Sequence, residues 1–477
     1  MCGFIFTATQ RYLTDQELDD ASQQLRRRGP DGWSRKRGVT KFGQHLSFTH
    51  FLLDISGLSV VQPYTSHEHP GYTVLFNGEL YQVGGESEGR PDTLQILPHF
   101  LSDGPSNFVS NVSGEFVILV YDEHSSELDI LTDPFLTKPV FLGRGVRPTD
   151  FVVASYPSAP ANLGYFQTVA LQPNSHLSIK LTGDSISIQE TFPMHRFELN
   201  HVKTHYGDWE DAFLEAVRKR ATHGAEAPML CLSSGYDSGA IALGLNLQGL
   251  KYHSYSIESG ENDQVLAKRI EINSSQGSTA KLLPGLSKPA RKNLSHRVGT
   301  EVEPYLYEHL EADGRRLLMS LDAGALGAFY IAELAKRDGF SVGLSGSGAD
   351  EIISDYGFNG TPFYSHSQFG GKFPQKMQGF FPWDKFYGNT QRSYLFKEEL
   401  IFGHFGIESR YPFLDKDVVQ EFLSLDPDWK NRQYKGPIAS FLDKHHYPYE
   451  NSVKRGFNVQ RESIIKSIRK KLGLLFT

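Results

Sequence analysis

One stretch constrains this chain more than any other: Leu230-Cys231-Leu232-Ser233-Ser234-Gly235-Tyr236-Asp237-Ser238-Gly239, an apolar run that breaks into small polar residues. It reads as a strand entering an anion-binding loop. Small residues let main-chain N–H groups close on a phosphate. Ser233 and Ser238 offer hydroxyl donors, and a helix after Ser238 would turn its positive end to the same point. Asp237 is then placed to hold magnesium. The sequence has no Walker-type glycine-lysine loop, so phosphate binding alone names no reaction. An ordinary strand-to-helix turn has the same local composition.

At 477 residues the chain is too long for one core, and two or three domains are expected. A net charge of −7 argues against nucleic acid or an acidic membrane surface as a general partner. No segment is long and apolar enough to span a bilayer. The opening Met1-Cys2-Gly3-Phe4-Ile5-Phe6 lacks the features of a secretory signal, so a cytoplasmic location is expected. Cys2 and Cys231 are the only two cysteines, which excludes a disulfide framework and a cysteine-rich zinc site.

From Met1 to about Pro193, short alternating runs are separated by glycine, proline and aspartate. Strands are predicted over 73–76, 116–121, 128–131, 151–154 and 176–181, and helices over 15–26 and 92–100. Removal of Met1 would make Cys2 the terminal residue, whose own α-amine can take the thiol proton and yield a nucleophile without a histidine. Arg28-Gly29-Pro30-Asp31-Gly32 and Asn77-Gly78-Glu79-Leu80-Tyr81 follow. Together these resemble the amino-terminal-nucleophile glutaminase domain of the asparagine synthetase family. The resemblance implies that Cys2 attacks the side-chain amide of glutamine and that Asn77 and the Gly78 N–H form the oxyanion hole. It further implies that Glu79 and Asp92 hold the substrate's α-amino group. Thr132-Asp133-Pro134-Phe135-Leu136-Thr137-Lys138-Pro139 is similar to a structural segment of the family, with Thr132 and Leu136 replacing arginine and glycine.

The strand texture ends in a mixed polar stretch carrying His195, His201 and His205, which read as linker residues. Domains of 1–195 and 196–477 are expected. Beyond the boundary, strands and helices alternate: helix 209–222, strand 228–233, strand 251–257, helix 263–275, helices 305–321 and 323–336, and strand 340–344. This predicts a parallel sheet with ligands at the carboxyl ends of its strands. The expected fold is a two-domain α+β / α/β protein. An antiparallel, αββα-like glutaminase domain precedes a parallel-sheet α/β domain.

Ser233 to Ser238 resembles the pyrophosphate loop of the ATP pyrophosphatase superfamily, and Ser345-Gly346-Ser347-Gly348-Ala349-Asp350-Glu351 resembles a second loop of asparagine synthetases. Gly406 to Asp415, Lys435 and Lys454-Arg455-Gly456-Phe457 continue the likeness. The resemblance implies ATP and magnesium. Leu232, Ser233, Ser234, Gly235, Tyr236, Asp237, Ser238, Ser345 and Gly346 would bind ATP or pyrophosphate, and Asp237 and Asp350 the metal. Lys454 would stabilise charge at the α-phosphorus, while Arg410 and Asp415 would be architectural. Partners are then glutamine and a small carboxylate, and a homodimer is left open.

Two positions depart from the family pattern. Leu52 stands where an arginine holds the glutamine carboxylate, with Arg90 as a candidate substitute. Ser347 stands where the second loop carries a glutamate linked to the aspartyl adenylate. The expected activity is glutamine-dependent conversion of an adenylated carboxylate to an amide. An adenylating synthetase or cyclase with a vestigial glutaminase, or a non-catalytic family member, are the competing readings. The basic segment 466–476 reads as a terminal docking helix.

Overall fold

The computed structural model describes residues 2–57, 60–84, 90–224, 226–258 and 262–451. Lys454 and the segment 466–476 lie outside them.

The first half forms two six-stranded antiparallel sheets packed face to face. In one, Gly3–Thr9 lies between Phe151–Ala154 and His45–Leu52. In the other, Tyr72–Gln82 pairs with Ser113–Asp122, which pairs with Glu127–Thr132. Alternation along these strands sends Phe4, Phe6 and Phe48 of one sheet and Leu75, Val117 and Leu119 of the other into a shared core. The opposite face of the second sheet is covered by the helix Asp92–Asn111 through Ile96, Leu97 and Phe108. That helix extends well beyond the predicted 100 and is broken at Gly104 (φ 75°). The predicted helix 15–26 is two helices, Asp15–Ala21 and Gln23–Arg28, meeting at Ser22. A Thr14–Glu17 capping box starts the first of them. The layers are therefore αββα, as expected.

The second half holds a five-stranded sheet, all parallel, in the order Thr279–Pro284, His253–Glu258, Met229–Cys231, Val342–Leu344, Glu408–Arg410. Met229–Cys231 is shorter than the predicted 228–233. The chain moves outward on one side of it, then returns to place Val342–Leu344 on its other side, which creates a topological switch point between these two strands. The predicted helix 305–321 is a correction. Leu306–Leu310 and Arg316–Leu318 form an antiparallel hairpin, followed by one 3-10 turn at Met319–Leu321. Tyr307 and His309 point inward while Leu306 and Leu310 face outward, which is period-two burial, and the connecting loop contains Asp313-Gly314, a strong turn pair.

The halves share a core. Ile5, Phe51, Val152 and Tyr156 pack with Met229, Phe329, Leu400 and Ile401. The helix Thr390–His404 sits so close that a Cβ on Gly403 would lie 2.4 Å from the Tyr156 hydroxyl. Among the described residues no helix is long and apolar enough to cross a membrane.

Candidate active sites

Cys2 opens on a cavity of about 370 Å³ that Gly78, Glu79 and Asp92 also line. Burial pushes the Cys2 thiol up, so the resting group is a neutral thiol that needs a base. Asn77 lies on the strand beside this cavity, fully buried, with both side-chain amide atoms lacking a partner among the described residues. An orphaned buried amide is costly unless a ligand completes it. Gly78 is required by its backbone: φ is 132°, and a Cβ there would strike the Glu115 carbonyl at 1.9 Å. Leu52, at the end of its strand, lines the same cavity, as do Arg90, Arg218 and Lys219.

The carboxylates of Glu79 and Asp92 meet at a residue the sequence did not mark. His223, just past the helix Gly207–Thr222 of the second half, places Nε2 2.8 Å from Glu79 and 3.6 Å from Asp92. Asp92 also accepts the Leu80 N–H at 2.8 Å. Burial alone would lower the His223 pKa, but the two carboxylates outweigh it and lift the imidazole to about 10. Burial and the nearby Glu408 push Glu79 up, while His223 and Arg410 pull it back. A group whose folded pKa exceeds the unfolded value near 6.5 stabilises the fold fully below that value. The stability is lost as pH rises toward 10. The thermal midpoint of the protein should therefore exceed that of His223→Gln most at pH 6, and the gap should close between pH 6.5 and 10. A pH-independent gap would rule out the charge as its cause.

The second site lies at the switch point. A Cβ on Gly346 would come within 2.9 Å of the Asp237 Cβ, so the Ser233–Ser238 loop and the Ser345–Asp350 loop face each other. Ser233 and Ser238 hydroxyls lie 2.9 Å apart, the Ser233 hydroxyl accepts from the Gly235 N–H at 3.2 Å, and the helix Tyr236–Leu247 begins immediately after. Lys435 joins the loops: its ammonium lies 2.6 Å from Asp237 and 2.8 Å from Asp350, with its own side chain 1% exposed. Burial works against this ammonium, yet the two carboxylates hold its pKa well above the ordinary range. A pair of carboxylates bracketing one cation at the mouth of a phosphate loop is a donor set that suits magnesium. Between the loops is a cavity of about 240 Å³ lined also by Lys397 and Glu398.

Residues 1–177 match the glutamine amidotransferase domain family and residues 208–399 match the asparagine synthase family. The chain thus carries a glutamine amidotransferase domain followed by an asparagine synthase domain. It is 24% identical to a putative asparagine synthetase, glutamine-hydrolyzing, 1 of Methanocaldococcus jannaschii, over 90% of this chain and 78% of that protein. Asparagine synthetase 1 of Arabidopsis thaliana is 23% identical over 90% of this chain and 72% of its own.

A buried ionic seam joins the halves. Glu115 accepts Arg220 at 2.6 Å and the Tyr411 N–H at 2.8 Å, with Lys138 3.4 Å away. Lys138 continues to Glu399 at 3.1 Å and to the Ser409 carbonyl at 2.7 Å. Arg220 also donates to Asp415 at 2.8 Å. Arg410 donates to Glu408 at 2.7 Å and to the His223 carbonyl at 2.5 Å, and reaches Glu79 at 3.4 Å. Arg28 of the Arg-Gly-Pro-Asp motif donates to the Cys2 carbonyl and to Glu399, both at 2.7 Å. Leu136 has a φ of 53°, in the left-handed region that favours glycine. Asp133 ties the turn by accepting from Phe135 N–H at 2.8 Å and the Thr137 hydroxyl at 2.7 Å.

Proposed function

We propose that the chain makes an amide from a carboxylate, using ATP for activation and glutamine as the nitrogen source. Supporting this reading is the convergence of two phosphate-type loops on Lys435 at a sheet switch point, in one chain with a half-buried thiol at position 2 beside an unsatisfied Asn77 amide.

In the first half, Cys2 as the terminal residue gives its proton to its own α-amine and attacks the glutamine side-chain carbonyl. Asn77 and the Gly78 N–H stabilise the oxyanion, ammonia leaves, and water releases glutamate from the thioester. Glu79 and Asp92 take the substrate's ammonium in company with His223. With leucine at position 52, the cations on the cavity wall, Arg90, Arg218 and Lys219, are the groups available to its carboxylate. The site is composite, because His223 comes from the second half.

In the second half, the acceptor carboxylate attacks the α-phosphorus and pyrophosphate leaves against the Ser233–Ser238 loop and its helix N-terminus. Asp237 and Asp350 would hold magnesium, which neutralises the phosphate charge when bound. Ammonia then displaces AMP from the acyl-adenylate. Lys454 is assigned to charge at the phosphorus on the sequence pattern alone. The cytoplasm is the compartment in which we place this chemistry. L-Aspartate is the first acceptor to test, given the relatives' names.

Magnesium-dependent exchange of labelled pyrophosphate into ATP across a panel of carboxylates tests the adenylation. One acceptor should support exchange, and Asp237→Ala should lower it by roughly 100-fold or more. No exchange with any carboxylate, together with no glutamate release from glutamine, would sink the reading.

A further inference from the structure

The helix Thr390–His404 buries Leu395, Phe396, Leu400, Ile401 and Phe402, yet carries Lys397-Glu398-Glu399 in the middle of that apolar run. Acids withdrawn from water persist when they have partners or chemistry to perform. Glu399 is accounted for by Arg28, Lys138 and the Tyr411 hydroxyl at 3.0 Å. Glu398 turns the other way. One of its oxygens accepts the Ser345 hydroxyl at 2.5 Å and the other accepts the Ser347 hydroxyl at 2.8 Å. All three residues line the cavity that Asp237 and Lys397 also border. Among the described residues no salt bridge neutralises Glu398. A helix carboxylate is thus held over the second loop by two of that loop's own hydroxyls, inside the cavity that the loops enclose.

We infer that Glu398 is the general base of the amide-forming step, working with the Ser347 hydroxyl beside it. The inference rests on the adenylation reading above. As ammonia attacks the acyl-adenylate, its nitrogen lone pair forms the C–N bond. The bond from the acyl carbon to the phosphate oxygen breaks, with its electron pair leaving on AMP. One N–H proton passes to the Glu398 carboxylate, directly or through the Ser347 hydroxyl. The serine pair fixes both carboxylate oxygens, so the base is oriented before the nucleophile arrives. Burial pushes the Glu398 pKa up, which makes it a stronger proton acceptor than an exposed glutamate.

Adenylation precedes this step and uses no base, so the two half-reactions should separate. With L-aspartate as the probe, magnesium-dependent pyrophosphate exchange is measured beside ammonium-dependent amide formation. Glu398→Gln keeps the size and one acceptor oxygen. It should lower amide formation by roughly 100-fold or more while leaving exchange within about threefold of the parent enzyme. Moving the carboxylate across to the loop, as Ser347→Glu in a Glu398→Ala background, should recover about tenfold or more over Glu398→Ala alone. Equal loss of exchange and amide formation, unchanged amide formation, or no recovery in the double variant would each overturn the assignment. Should the parent enzyme show no exchange with L-aspartate or any other carboxylate, the adenylation reading fails and carries this inference with it.

Discussion

Replacing Cys2 by alanine should abolish glutamate release and glutamine-dependent amide formation, by roughly 1,000-fold or more, while ammonium still supports the amide at close to the parent rate. The separation follows from where Cys2 stands. Its side chain opens on the cavity of Gly78, Glu79 and Asp92, whereas the cavity between the two phosphate-type loops is bordered by Asp237, Ser347 and Lys397. Alanine is smaller than cysteine and leaves the main-chain carbonyl in place for Arg28, so the fold should be retained. Steady-state assays with glutamine and with ammonium chloride, side by side, decide the matter. Residual glutamine turnover in Cys2→Ala would mean that another group is the nucleophile. Loss of the ammonium reaction as well would mean that the cysteine serves the second site.

The largest stability effect is expected at Glu115. Its side chain, 1% exposed, is held by Arg220 and the Tyr411 N–H, with Lys138 beside it. Glu115→Leu would leave two buried cations facing an apolar group, and breaking a buried ionic network of this kind costs about 3–5 kcal/mol. Glu421→Gln offers the contrast. Its Lys203 partner is 30% exposed and also pairs with Asp208, so its removal should cost less than about 1 kcal/mol. Urea or thermal unfolding of the two variants checks the ratio; similar losses would show that the seam contributes little beyond surface pairing. Because Glu115 belongs to the first half and Arg220 and Tyr411 to the second, Glu115→Leu should also loosen the contact between them.

Most of the architecture could be read from the chain because it rests on local patterning. Phe116 to Tyr121 and Leu128 to Leu131 are short apolar strands with turn residues between them, and they pair as neighbours. Strand-helix alternation beyond residue 207 became the parallel sheet, and the carboxyl ends of two of its strands brought Asp237 and Asp350 to one lysine. Residues 306–318 form a hairpin instead of the expected helix because their side chains alternate in burial and the Asp313-Gly314 pair supplies the turn. The sites were less legible where long-range packing builds them. Nothing near His223 in sequence announces that it will stand between two carboxylates more than a hundred residues earlier. Lys435 was visible as a family lysine, but its place depends on a φ of 49° that turns it back toward the loops. Glu398 did leave a local signal, since three consecutive charged residues interrupt an apolar helical run.

Glu398 and Glu399 are one peptide apart, yet they hold different sites: the first grips Ser345 and Ser347, and the second grips Arg28, whose guanidinium holds the Cys2 carbonyl. Gly403 leaves no slack where the same helix meets Tyr156. The helix is thus a crank mounted without play, with both cavities on one shaft. A substitution that retunes one chemistry by turning it cannot leave the setting of the other untouched.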